Sequence, residues 1–136
     1  MIFRQTVLRI LRIVASSALI VIMIVILAAC GDPRQSPPPI VVTFATAPPT
    51  TLAIGASAGL TVTVTNDTQT GNVIWTCSPD QASGACGTFS PTTIHSGVPT
   101  NYEAPAQVPA AGKVTVTATS VTDSTKFVSA TITISN

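Results

Sequence analysis

Reactive side chains are sparse in this chain of 136 residues: three cysteines, one histidine and five carboxylates, against a large supply of Ser and Thr. A catalytic centre needs a nucleophile beside a base, paired carboxylates or a metal cluster. His95 stands between Ile94 and Ser96 in a turn-forming stretch with no acid near it in sequence, so it reads as an exposed loop residue. The hydroxyl residues fall at alternate positions of strand-like runs, where their role is to solvate a sheet. Neither a glycine-rich phosphate loop nor a nucleophile elbow occurs. Zinc would need more Cys or His ligands than Cys77, Cys86 and one histidine supply. Asp67 and Asp123 with Asn72 are the candidates for a calcium site. Turn chemistry accounts for all three without an ion, so no metal is expected. Catalysis is not expected either.

Cys30 has a different chemistry. Before it runs an apolar segment, residues 13–29, preceded by Arg4, Arg9 and Arg12 with no acid among them. A positive start, an apolar middle and small residues ahead of a cysteine make a secretory signal. The run Leu27-Ala28-Ala29-Cys30 resembles the lipobox of bacterial lipoproteins. Ala28 and Ala29 are small enough to let a peptidase reach the backbone, and Leu27 fills an apolar subsite. The resemblance implies that the Cys30 thiol takes a diacylglycerol, that cleavage follows Ala29, and that the new amino group is open to acylation. Two or three acyl chains hold a protein stably on a bilayer, whereas one holds it weakly. The competing reading is an uncleaved anchor. As a helix, residues 13–29 span roughly 25 Å at about 1.5 Å per residue, short of the ~30 Å hydrocarbon core. Gly31, where an aspartate would favour retention at the inner membrane, gives a mild preference for the outer membrane.

Export sets the expectation for the other two thiols. In an oxidising compartment a pair of cysteines in a small domain is expected to be bridged, so Cys77 and Cys86 are read as a disulfide. After Cys30 only Arg34, Lys113 and Lys126 face Asp32, Asp67, Asp80, Glu103 and Asp123. No basic patch gathers phosphates, which argues against nucleic acid. The membrane is expected to be held by lipid rather than by a polybasic face.

The elements after Cys30 are strands. Residues 32–39, rich in proline, favour an extended polyproline course and serve as a stiff tether. Residues 40–44 and 51–54 read as short strands. Leu60 to Thr65 alternates as one half-buried strand with Leu60, Val62 and Val64 inward. Val73, Trp75 and Cys77 share the inner face of a central strand. Cys86 to Phe89 returns as a strand, residues 92–97 as a turn and residues 100–103 as an edge strand. Two long alternating runs close the chain, with Val114, Val116 and Ala118, then Val128, Ala130, Ile132 and Ile134, facing the core. Parity puts Phe127 outside, where a single exposed aromatic would mark a contact with a partner or sugar. A bulge turning it inward, or packing over Lys126, is the plainer account.

About seven short strands with no helical period predict an all-β antiparallel sandwich. Four runs, Val73-Ile74-Trp75-Thr76-Cys77, Ala85 to Pro91, Tyr102-Glu103-Ala104-Pro105 and Gly112 to Ser120, resemble the bacterial Ig-like domains of surface and secreted proteins, especially of Acidobacteria-type genomes. The resemblance covers nearly all of residues 40–134 and implies an immunoglobulin-like fold outside the cytoplasm. It implies little about ligand. The cysteines flank a short loop, unlike the inter-sheet bridge of antibody domains. The expected organisation is a signal peptide at 1–29, a tether at 30–39 and an Ig-like sandwich at 40–136. The expected function is non-catalytic: a lipid-anchored envelope protein presenting one module for surface interaction or structure, with no cofactor beyond the acyl lipid on Cys30. The alternatives are an adhesin-type module binding a glycan or an envelope protein through its end loops or the face near Phe127, and an uncleaved accessory subunit of an envelope complex.

Overall fold

Ten strands carry the fold in a computed structural model that describes residues 36–80 and 84–136. They are β1 (Val41–Phe44), β2 (Thr51–Ala53), β3 (Ser57–Leu60), β4 (Val62–Thr65), β5 (Asn72–Pro79), β6 (Thr88–Ser90), β7 (Thr93–His95), β8 (Thr100–Glu103), β9 (Lys113–Ser120) and β10 (Phe127–Ser135). The described residues contain no helix. The signal segment, the cleavage motif Leu27-Ala28-Ala29 and Cys30 lie outside the described residues. Residues Pro38–Asn136 form a single compact unit.

Hydrogen bonding groups the strands into a five-stranded sheet ordered β2-β10-β9-β5-β7, a three-stranded sheet β3-β8-β6 and a pair β1-β4. Core residues come from all three: Val42, Leu60, Val62 and Tyr102 from the smaller sheets, and Val73, Trp75, Val114, Val116, Ala118, Ile132 and Ile134 from the larger. The smaller sheets therefore share one apolar interior with the five-stranded sheet, in a sandwich-like arrangement. The long runs produce this directly. Val114, Val116 and Ala118 are fully buried while Thr115, Thr117 and Thr119 are not, because successive side chains of a strand point to opposite faces. On β5, Val73 and Trp75 are buried and Cys77 half-buried on the same face.

Several expectations are corrected. The described residues form ten strands against the expected seven or so, and the pairing is not wholly antiparallel, since β2 runs parallel to β10 with Leu52 opposite Ile134. Pro48 and Pro49 break the chain after β1. It then crosses to the other layer, where Thr133 donates its N–H to the Thr50 carbonyl at 2.9 Å and Ile54 donates to Ser135 at 2.9 Å.

The run from Leu60 to Thr65 is divided between two strands. Up to Leu60 it pairs with β8, opposite Thr100. From Val62 it pairs with β1. Pro99 precedes Thr100 and lacks the N–H that would extend the first ladder. Beyond it Gly97 N donates to the Val62 carbonyl at 2.9 Å and Ser96 Oγ accepts from Val64 N at 2.8 Å. The alternation survives the change of partner, so the division leaves no mark in the hydrophobic pattern.

Residues 93–95 form β7, with Ile94 paired opposite Val73. Residues 100–103 sit in the middle of their sheet, between β3 and β6, and not at its edge. Thr100 is buried there with its hydroxyl donated to the Pro91 carbonyl at 2.6 Å. The strand β5 lies between β9 and β7, and β9 holds the centre of the larger sheet.

Candidate functional site

Four aromatic rings link the layers. Phe44 of β1, Trp75 of β5, Phe89 of β6 and Tyr102 of β8 form a chain with centroid separations of 6.3, 5.5 and 5.0 Å. Contacts of this length are in the range where tilted and offset rings attract beyond their area of contact. Trp75 Nε1 is buried with no hydrogen-bond partner among the described residues.

Cys77 and Cys86 form a disulfide at a Cα separation of 5.9 Å. The bridge joins the outgoing end of β5 to the segment leading into β6, beside the last aromatic ring. Tyr102 donates its phenol to the Cys86 carbonyl at 2.7 Å. Burial raises the pKa of that phenol above its ordinary value of 10.0. Gly87 follows with φ +85°, and a Cβ there would collide with the Glu103 carbonyl and the Tyr102 ring. This is a structural knot whose polar groups are turned inward.

The turns at Asp67 and Asp123 fall at the same end of the sandwich. Asp67 Oδ1 accepts from Gln69 N at 2.9 Å, and Oδ2 accepts from Gly71 N at 3.0 Å and from the Thr122 hydroxyl at 2.8 Å. The Gln69 bond lowers the Asp67 pKa most. Asp123 Oδ1 accepts from Thr125 Oγ1 at 2.6 Å and Thr125 N at 3.0 Å, and the hydroxyl bond lowers its pKa most. The two carboxylates are thus engaged in separate turns. Among the described residues no group of three His, Cys, Asp or Glu side chains converges on one point. Asn72 joins β5 and is paired opposite His95. His95 is exposed, with Nδ1 lying 3.1 Å from the Ser96 carbonyl.

Among the described residues Phe127 is the most exposed large apolar side chain, at 60%. It occupies a regular register opposite Thr119, so no bulge turns it inward, and Lys126 lines the same groove beside it. Thr119 is in turn opposite Ile74, and Ile74 opposite Thr93. One row across the outer face therefore reads Phe127, Thr119, Ile74, Thr93, with Ile74 a second exposed apolar residue. Ile74 was missed in the sequence, though its parity announced it: once Val73, Trp75 and Cys77 face in, Ile74 faces out.

At the head of β10, Phe127 and Lys126 form one wall of a shallow groove of about 300 Å³, and Pro39 to Val42 form the other. Nearby, Asn66, in left-handed backbone at φ 62°, donates its side-chain amide to the Pro39 carbonyl at 2.9 Å. The groove therefore lies where the proline stretch meets the sandwich. No protein family, curated protein or solved structure matches this chain.

Proposed function

We propose that this chain is a lipid-anchored cell-envelope protein which displays a single Ig-like module on a short proline tether and acts without catalysis. The observation that carries the reading is the order of three features along one chain. The run Leu27-Ala28-Ala29-Cys30 comes first, then a prolyl stretch of a few residues, then a disulfide-closed β unit beginning at Pro38. The Cys77–Cys86 bridge fits an oxidising compartment.

The Ig-like reading is supported by Trp75 on an inner strand of the larger sheet, facing the opposite layer. The non-catalytic reading is supported by carboxylates already bound in turns and by a histidine whose Nδ1 lies against the carbonyl of the next residue. Localisation at the outer membrane follows the weak preference drawn from Gly31.

The test is metabolic labelling with radioactive palmitate in a bacterial host, with mass spectrometry of the N-terminal peptide. The expected product begins at an acylated Cys30, and Cys30→Ser abolishes both label and cleavage. A product that keeps residues 1–29, or one that begins elsewhere with an unmodified thiol, rejects the reading.

A further inference from the structure

We infer that the groove between Pro39–Val42 and Lys126–Phe127 is a membrane-contact surface that rests on a zwitterionic phospholipid headgroup layer. The inference deepens the lipid-anchor reading and rests on it. Three observations converge. The groove is lined by Pro39 to Val42, at the start of the compact unit. Asn66 holds the Pro39 carbonyl at 2.9 Å.

Reach comes next. From Cys30 to Pro39 is nine residues, which cover roughly 28 Å as a polyproline course and about 32 Å at full extension. An acylated Cys30 therefore keeps this end of the domain within that distance of the bilayer. At so short a tether, weak contacts become intramolecular and are populated at high effective concentration.

Side-chain chemistry decides the partner. Phe127 at 60% and Val41 at 43% exposure present apolar surface on both walls of the groove, and apolar side chains of this kind gain by entering the boundary between headgroups and acyl chains. Lys126 is the cation beside them, and its stem can lie along the apolar wall with its ammonium at phosphate level. Asp67 and Asp123 occupy turns at the same end, so the local charge does not favour an anionic surface. Contact through apolar side chains with a neutral lipid fits both facts.

The experiment uses the full chain, processed in a bacterial host and reconstituted into phosphatidylcholine vesicles. A polarity-sensitive fluorophore is placed on Phe127→Cys or, as control, Thr133→Cys. Thr133 is exposed on the same face of β10, six residues and about 20 Å further along at roughly 3.3 Å per residue. With lipid spin-labelled near the headgroup, quenching at position 127 is expected to exceed that at position 133 at least twofold and to be unchanged between 50 and 500 mM salt. Equal quenching at the two positions overturns the inference. So does a disulfide-linked pair of chains forming through unlabelled Phe127→Cys in place of lipid quenching, which would make the groove a contact between copies. Flotation of the vesicles reads the anchor separately. Where the chain fails to float, the anchor reading falls, and a chain with a hexahistidine replacing residues 1–30, held on nickel-chelating lipid, still decides the groove by the same ratio.

Discussion

The phenol of Tyr102 donates to the carbonyl of Cys86 at 2.7 Å, joining the middle strand of one sheet to the half-cystine that tethers the other. Tyr102 is fully buried and Cys86 half-buried. Removing the hydroxyl takes away the bond that ties the two. Tyr102→Phe is expected to cost about 1–2 kcal/mol, read as a lower urea midpoint at unchanged slope.

The same residue reports on alkaline pH. As the only tyrosine in the chain, it gives an unambiguous absorbance titration at 295 nm. Its pKa is raised by burial, so the stability it contributes is complete below the unfolded value near 10 and is lost as pH climbs through the folded one. Folded protein is expected to ionise at higher pH than the urea-unfolded chain. Coincident curves would contradict the burial.

Asp67 and Asp123 act in the opposite sense. Both pKa values are lowered by hydrogen bonds to the charged form. Their contribution is present above the unfolded value near 3.9 and fades as pH falls through the folded values. Asp67→Asn is expected to melt below the parent at pH 6, with the gap closing towards pH 2. Thr122→Val, which removes one donor to Asp67, is expected to raise the acid midpoint.

Replacing both Cys77 and Cys86 by alanine opens a loop of ten residues. Chain entropy alone puts the loss at roughly 2–3 kcal/mol. Chemical denaturation of the variant, or of the parent in reductant, measures it.

Two glycines with similar backbone separate strain from collision. Gly87 and Gly97 have φ of +85° and +81°, but a Cβ at Gly97 meets nothing within 4 Å whereas one at Gly87 strikes Glu103 and Tyr102. Gly97→Ala is expected to cost about 1 kcal/mol and Gly87→Ala at least about 3 kcal/mol. Equal melting temperatures for the two variants would remove the collision from the account.

What could be read from residue order was governed by period. Val114, Val116, Ala118, Ile132 and Ile134 alternate over long strands, and all are buried as their parity requires. Phe127 likewise faces outward by parity. Partner choice was not legible, because hydrogen bonds between strands leave no residue signature. The division after Leu60 keeps the alternation intact while the ladder passes from β8 to β1. The strand β7 is three residues beside a Gly and two prolines, a composition that local chemistry assigns to a turn and only the edge of β5 makes extended. Of the candidate site, the disulfide followed from the cysteine count and the expected export. The groove did not, since it needs residues 39–42 and 125–127 brought together from opposite ends of the domain.

The heads of β1 and β10 flank that groove, and β10 then runs nine residues away from it, about 30 Å at the usual rise of a strand. Its last residues therefore stand at the pole opposite Pro39. Tension applied between the two poles acts along the strands, so the seven-residue ladder joining β9 to β10 is loaded in shear with its rungs sharing the force. A ladder loaded this way resists stretching better than prying.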